Sequence, residues 1–418
     1  MKPSECPLPP DFFIANRTKL AEALPDNSVC ALYSGEPCVR SWDQRYPFRV
    51  ESNFFYLTGL TEPDCRLLIV KKGGKTTESL FIPPIDPEKE KWDGKMLTQE
   101  KAQAVSGIKT LQPRDNFDSL LFKGASYADS FCTFLNGVFP TQPLTYWHRY
   151  VENLGLRLPG MKVTNLLPTL SRLRAVKTEA EIALIKTALE HTGNALKKAA
   201  GKIKPGVFEY EIEAELLYEY QRHGLGPSFD AIVAGGVNAS VLHYVENTDR
   251  LSDGGLVLID TGALYAGYCG DLTRVFPVSG RFTDRQRQLH DANLEIQSKV
   301  IASLKVGMTL TEVGECSSTI QGEVLAREGI IQDPSAHATV TYHSIGHSLG
   351  IDVHDPLDSR EPLPEGFVMT VEPGIYLPAE GIGIRNEDVV VLRSSGAELL
   401  SGSMPRTTDE IESLMVAR

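Results

Sequence analysis

The sequence predicts two domains, an N-terminal α/β domain over residues 1–170 and an α+β domain over residues 171–418 that contains an internal duplication. A chain of 418 residues is longer than a single hydrophobic core ordinarily serves. Short apolar runs between turn residues fill its first part, and long stretches of helical periodicity begin near residue 170. Two pairs of similar strings in the second part indicate the duplication.

The N-terminal domain begins with residues 12–24, where apolar positions at helical spacing stop at Pro25 and predict an amphipathic helix. Three short apolar runs then predict strands separated by helices: 29–33, 67–70 and 79–82. Composition alone favours core packing for the aromatic residues of the string 45–59.

The second domain begins with a long helix. Thr178 and Glu181 form a capping-box pattern ahead of apolar residues that recur at intervals of three and four. The basic residues just before it, Arg172, Arg174 and Lys177, are interpreted as solvated or interface charges.

Similar strings recur within this domain. The string 204–209 opens one predicted helix and the string 305–310 opens another, while the predicted strand 257–260 is matched by 368–372. In both strands a carboxylate stands two residues ahead of a glycine. The repetition predicts two half-domains that each contribute acid groups to a shared centre, and chance similarity of short strings is the alternative.

Composition excludes several classes of protein. The formal charge of -12 disfavours nucleic acid as a partner, and the seven dispersed cysteines indicate reduced thiols, with neither a disulfide framework nor a zinc knuckle. Apolar runs are too short to span a membrane, and the N-terminal residues lack the apolar core of a signal peptide. We therefore expect a cytoplasmic protein.

Three of the nine histidines, His343, His347 and His354, lie within twelve positions. Imidazole binds divalent metals and transfers protons near neutral pH, so the cluster predicts a metal or acid/base site. Glycines and β-branched residues between the histidines argue against a helix, and we expect a loop followed by a short strand.

Carboxylates flank this stretch on both sides. Asp260 and Asp271 adjoin apolar β runs separated by glycines, which predicts a hairpin with one carboxylate on each strand. Glu372 and Glu387 repeat the layout. Each acid would be costly to bury alone, so a positive charge is expected among them. Pairing with Arg or Lys is the alternative, but Arg385 could pair with one acid and not with four.

Four carboxylates and His347 form an oxygen-rich set of five ligands. Such a set suits Mn²⁺, Co²⁺ or Fe²⁺, and two ions roughly 3.5–4 Å apart could share carboxylates. A water that bridged them would ionise near neutral pH and become a nucleophile.

The strings around these five residues, in this order, resemble the pita-bread metallopeptidases, specifically the proline-specific branch of aminopeptidase P and prolidase. They are 259–262, 270–274, 371–376 and 383–388. The string 46–59 is similar to the N-terminal domain of aminopeptidase P. The resemblance implies a pita-bread catalytic domain, two divalent ions (Mn²⁺ first, with Co²⁺, Zn²⁺ or Fe²⁺ as alternatives) and release of an N-terminal residue that precedes proline.

The resemblance also implies roles for individual residues. Asp260 would hold one ion, His347 and Glu372 the other, and Asp271 and Glu387 would bridge them. Glu372 would also carry the proton from the bridging water to the leaving proline nitrogen. Histidines and an arginine would contact the substrate: His243 near the scissile bond, His354 at the oxyanion, and His343 and Arg385 elsewhere on the peptide.

Other parts of the sequence bear on the oligomeric state and on the alternative functions. The segment 90–94, with Trp92, resembles one that reaches a neighbouring subunit's site in tetrameric relatives, so a homodimer or homotetramer is expected. The segment 344–346 and Asn386 depart from the usual pattern without removing a ligand. Prolidase is the alternative function, and a non-catalytic peptide-binding module or a creatinase-like amidinohydrolase is disfavoured because all five ligands are present.

Overall fold

A computed structural model describes residues 6–135, 141 and 143–416 of the chain. It divides into two compact units, Pro7–Arg174 and Ala175–Arg418. Among the described residues, no helix combines the length and the apolar character that a membrane crossing requires.

The strands of the unit Pro7–Arg174 are β1 Ser28–Tyr33, β2 Val39–Ser41, β3 Gln44–Arg45, β4 Arg66–Lys72, β5 Lys75–Ile82, β6 Leu111–Pro113, β7 Ser130–Thr133 and β8 Lys162–Asn165. Six of them form a mixed sheet with the order β6-β5-β4-β1-β7-β8. Its helices are α1 Pro10–Ala23, α2 Ser52–Thr58, α3 Pro87–Asp93, α4 Gln99–Ser106, α5 Phe117–Ala125, α6 Tyr146–Arg157 and α7 Leu167–Ala175, the last of which ends at the division between the units.

The first helix and the three predicted strands of this unit are confirmed, but a helix does not separate all of the strands. β4 and β5 form a direct antiparallel hairpin in which Lys72 pairs with Lys75. The two residues between them, Gly73 and Gly74, have φ angles of 57° and 72°. A two-residue hairpin turn requires this left-handed conformation, which glycine adopts without strain.

Core packing of the aromatic string is confirmed for one half of it. Phe54, Phe55 and Tyr56 lie in α2 and are at most 2% exposed, whereas Tyr46 is 55% exposed. The buried aromatic residues are therefore those of α2, a helix that the sequence analysis did not predict.

The described part of the unit Ala175–Arg418 contains five further α-helices and several small antiparallel sheets. The helices are α8 Glu179–Ala200, α9 Glu209–Arg222, α10 Asp284–Ser303, α11 Leu310–Arg327 and α12 Thr408–Val416. The strands are β9 Gly226–Pro227, β10 Ile232–Gly235, β11 Leu256–Thr261, β12 Ala263–Tyr265, β13 Tyr268–Cys269, β14 Leu272–Pro277, β15 Val368–Val371, β16 Gly374–Leu377, β17 Ile382–Arg385, β18 Asp388–Arg393 and β19 Gly396–Leu399.

This unit repeats one arrangement twice, as the similar strings predicted. Helices α8 and α9 precede the antiparallel pair β11 and β14, and helices α10 and α11 precede the antiparallel pair β15 and β18. The capping box at Thr178 and Glu181 is confirmed at the start of α8. Each half therefore presents two long helices and one strand pair.

Burial contradicts the expectation that two basic residues near the start of this region are solvated. Arg174 is 2% exposed and Lys177 is 4% exposed. Lys177 is buried because its ammonium group pairs with the carboxylate of Asp355 at 3.1 Å. A buried charge with such a partner avoids most of the desolvation penalty that an isolated one carries.

Candidate metal centre

The two strand pairs bring the four predicted carboxylates to corresponding places. In the first pair, Asp260 lies in β11 opposite Thr273, and Asp271 immediately precedes β14. In the second, Glu372 immediately follows β15 and Glu387 immediately precedes β18. The predicted hairpin strands are thus confirmed in both halves.

The histidine stretch is a loop, as predicted, but the short strand expected after it is wrong. Three main-chain hydrogen bonds of 2.8–3.1 Å join residues 345–349 to β15 and Glu372. Only Ser348 forms an isolated strand-like bridge. The main chain turns back at Gly350, whose N–H donates to the carbonyl of Asp352, so a regular strand does not continue.

This attachment to β15 places His347 among the acids. Its Nε2 lies 3.4 Å from Oε1 of Glu372, 3.6 Å from Oδ2 of Asp271 and 4.0 Å from Oε1 of Glu387. Ligand atoms of Asp271, His347 and Glu387 all lie within 4.8 Å of one another. One cation could therefore contact donors from both halves of the domain.

The fourth carboxylate, Asp260, is paired with Arg385. Arg385 donates from Nη2 to Oδ2 of Asp260 at 2.6 Å. The other oxygen of Asp260 is buried, and no described residue donates a hydrogen bond to it. Arg385 thus pairs with one acid, and three further negative charges would be uncompensated if every carboxylate were ionised.

Burial and mutual repulsion shift the ionisation of the site. Burial, followed by the charge of Glu387, raises the pKa of Asp271 well above its usual range, and burial and Glu372 do the same for Glu387. Burial raises the pKa of Glu372 to about 7. Burial, with His354 nearby, lowers the pKa of His347 to about 4 and keeps its imidazole neutral, as metal binding requires.

These observations fit divalent cations. The donors are mainly carboxylate oxygens with one imidazole, which is the chemistry that Mn²⁺, Co²⁺, Fe²⁺ and catalytic Zn²⁺ accept. The orphaned oxygen of Asp260 and the raised pKa values of the other acids both mark a deficit of positive charge. Divalent cations would supply the positive charge that the side chains lack.

The remaining predicted histidines surround this centre. Nδ1 of His343 lies 3.9 Å from Oε2 of Glu372, and the ring of His354 lies 4.0 Å from that of His347. Partial burial, and then the charge of His243, lower the pKa of His354. His243 and His354 are both exposed, so a ligand can reach them.

Tyr376 is a site residue to which the sequence reading gave no role. Its hydroxyl lies 2.8 Å from Nε2 of His343 and accepts a hydrogen bond of 3.1 Å from Nη1 of Arg385. The side chain is 1% exposed. Strand periodicity offered a signal, because Tyr376 lies two residues after Gly374 and four after Glu372, where side chains share one face.

Two threonines also contact the acids. Thr273 donates to Oε2 of Glu387 at 2.7 Å, and Thr370 donates to Oε1 of Glu372 at 3.3 Å. Thr370 stands two residues before Glu372 and Thr273 two residues after Asp271, so the same periodicity would have identified them. These hydroxyls fix the orientation of both carboxylates.

The chain is similar to known proteins along almost its whole length. The pattern of Metallopeptidase family M24 matches residues 183–394, and that of the aminopeptidase P N-terminal domain matches residues 13–132. The Xaa-Pro aminopeptidase of Haemophilus influenzae is 34% identical, with 98% of each chain covered. The chain is also similar to Escherichia coli aminopeptidase P bound to the inhibitor Pro-Leu (TM-score 0.89, 32% identity, 98% and 99% covered) and to Yersinia pestis proline aminopeptidase P II (TM-score 0.88, 34%, 98% and 100%).

Proposed function

Because the chain belongs to metallopeptidase family M24 and carries an aminopeptidase P N-terminal domain, we propose that it is a metal-dependent Xaa-Pro aminopeptidase. The enzyme would release the N-terminal residue from peptides whose second residue is proline. The observation that carries the proposal is the convergence of Asp271, His347 and Glu387 within 4.8 Å, with Glu372 against the imidazole at 3.4 Å.

We propose that five residues hold two divalent ions. Asp260 would serve one ion, His347 and Glu372 the other, and Asp271 and Glu387 both. When bound, such ions activate a water as the nucleophile and polarise the carbonyl of the scissile bond. Mn²⁺ is the first candidate for these ions, and the oxygen-rich donor set supports it.

Glu372 would move the proton in this reaction. Its Oε1 is held by Thr370 and faces His347, which leaves Oε2 toward His343 at 3.9 Å. A carboxylate in this position can accept a proton from the attacking water and pass it on, as a general base and then a general acid. The recipient is the proline nitrogen, which must gain a proton to leave as a secondary amine.

The surrounding side chains would hold the peptide. His354 would donate a ring N–H to the oxyanion that forms at the scissile carbonyl. His243 would contact the peptide near the scissile bond. His343 and Arg385, both bound to the hydroxyl of Tyr376, would contact other parts of the substrate.

A dedicated site for proline is chemically reasonable. Proline has no N–H and a fixed φ, so a site shaped for ordinary peptides positions it poorly. The prolidase alternative is not favoured, because the Haemophilus influenzae relative, which matches this chain over 98% of each length, is named Xaa-Pro aminopeptidase. Cytoplasmic location and a homodimer or homotetramer, with Trp92 87% exposed in α3, stay predictions from the sequence.

Hydrolysis of two alanyl peptides tests the proposal. Metal-stripped protein is incubated with Ala-Pro-Ala or Ala-Pro, before and after addition of Mn²⁺, and released alanine is measured by chromatography. We expect metal-dependent cleavage of the tripeptide. Cleavage of the dipeptide alone would identify a prolidase, and no cleavage of either peptide by metal-loaded protein would refute the proposed activity.

A further inference from the structure

Glu372 and Glu387 both lie where one strand ladder stops and another begins. β15 pairs with β18 on one side of this gap, and β16 pairs with β17 on the other. The pairs that border the gap are Val371 with Asp388 and Gly374 with Arg385. Residues 372–373 and 386–387 therefore have no ladder partners, and ladder hydrogen bonds alone do not fix the distance between the two glutamates.

Two amide side chains of α10 fill this gap. Asn293 donates from Nδ2 to the carbonyl of Pro373 at 2.7 Å and accepts from the N–H of Asn386 at 3.2 Å. Gln297, one helical turn later, donates from Nε2 to the carbonyls of Val371 at 2.8 Å and Asn386 at 2.9 Å. Each amide thus bonds to the main chain of both glutamate-bearing segments.

The orientation of the Gln297 amide is itself fixed. Arg406 donates from Nη2 to Oε1 of Gln297 at 2.9 Å, and its Nε lies 2.9 Å from Oδ2 of Asp388. Because Oε1 accepts this hydrogen bond, the NH₂ group faces the two carbonyls. A glutamate at this position would instead direct an oxygen at them and repel them.

Burial shows why polar side chains are required here. Asn293 and Gln297 are both 0% exposed on a helix face that otherwise packs Leu289, Ile296 and Val300. A buried amide is costly unless it is hydrogen-bonded, and an apolar residue in its place would leave main-chain groups beside the glutamates unpaired. The two amides therefore provide hydrogen bonds to main-chain groups at the point where the strand ladder is interrupted.

We infer that Asn293 and Gln297 are positioning residues that fix Glu372 and Glu387 relative to each other and thereby set the affinity of the centre for divalent ions. The inference rests on the proposed function, since it takes both glutamates as ligands. Partners behind metal ligands commonly change metal affinity by about 10- to 100-fold when they are removed. Loss of either amide should act through the separation of the glutamates, without any change in the ligands themselves.

The test is Mn²⁺ binding to metal-stripped full-length protein, measured by isothermal titration calorimetry for wild type and Gln297→Met. Methionine has nearly the length of glutamine and cannot form these hydrogen bonds. We expect about 10- to 100-fold weaker binding. Asn293→Leu is a second variant, which serves in its place if Gln297→Met does not fold.

Gln286→Met is the matched control. Gln286 lies on the same helix, is 6% exposed, donates to the carbonyl of Gly254 at 2.8 Å and accepts from the N–H of Thr283 at 2.9 Å. Its loss should lower thermal stability in the same way without a change in metal affinity. Unchanged affinity in Gln297→Met, or an equal loss in Gln286→Met, would overturn the inference. Failure of the wild type to bind Mn²⁺ would instead refute the proposed function on which it rests.

Discussion

Without metal, the buried carboxyls of the centre should lower the stability of the protein as the pH rises from 5 to 8.5, because they are then forced to ionise. Burial also lowers the pKa of His343 and His347 to about 4, so these two groups act in the opposite direction below pH 6.5. Burial raises the pKa of Glu372 from 4.5 to about 7. A group whose pKa is higher in the folded than in the unfolded state contributes its full stabilisation below the unfolded pKa. That contribution is lost as the pH rises through the folded pKa.

The size of the effect follows from the same values. A rise from 4.5 to about 7 corresponds to about 3 kcal/mol of folding free energy above pH 7. For a unit of this size, that lowers Tm by about 6–12 °C. Asp271 and Glu387 act in the same direction, since burial raises the pKa of each. Divalent ions should reverse the loss because they stabilise the ionised carboxylates.

Scanning calorimetry of metal-stripped protein between pH 5 and pH 8.5, with and without Mn²⁺, measures both effects. Glu372→Gln is the control, because glutamine does not titrate and should flatten the decline. We expect Mn²⁺ to raise Tm more at pH 8 than at pH 5. An identical pH dependence of Tm in wild type and Glu372→Gln would refute this reasoning.

Three substitutions test other parts of the account. Glu372→Gln should reduce turnover of Ala-Pro-Ala by at least about 100-fold with an unchanged circular dichroism spectrum, and near-normal activity would contradict its proton-transfer role. Tyr376→Phe removes the hydroxyl that contacts His343, so kcat/KM should fall about 10-fold, as for loss of one hydrogen bond to a charged or polar partner, while a change in Tm without a change in kcat/KM would limit Tyr376 to a structural role. Lys177→Met leaves Asp355 buried without its cation and should lower the free energy of unfolding, measured by chemical denaturation, by about 3–5 kcal/mol. The double variant Lys177→Met with Asp355→Asn should recover part of that loss, and no recovery would show that the unpaired charge is not the cause.

Much of the fold and of the site could be predicted from patterns within short stretches of the sequence. The two hairpin pairs could be predicted because apolar β runs beside each acid, with glycines between them, define strands and turns within one short stretch. The capping box at Thr178 and Glu181 is equally local. Order and spacing of the acids and His347 then led to the family.

Features that depend on distant parts of the chain could not be predicted. Burial of Lys177 depends on Asp355, 178 positions away in sequence, and no local pattern links the two. Likewise, the contacts of Asn293 depend on where two ladders stop, which only the paired strands define.

The β4–β5 hairpin was not predicted for a different reason. Its Gly73-Gly74 turn is a strong local signal, but the strands were expected to be separated by helices.

The most direct test of the central claim is a metal titration of activity. Mn²⁺ is added in steps to metal-free protein, and the rate of alanine release from Ala-Pro-Ala is measured at each step. We predict no activity without metal and a rate that reaches its plateau at two equivalents of Mn²⁺ per chain. Full activity in the metal-free protein, or a plateau at one equivalent, would contradict a catalytic centre of two ions held by these five residues.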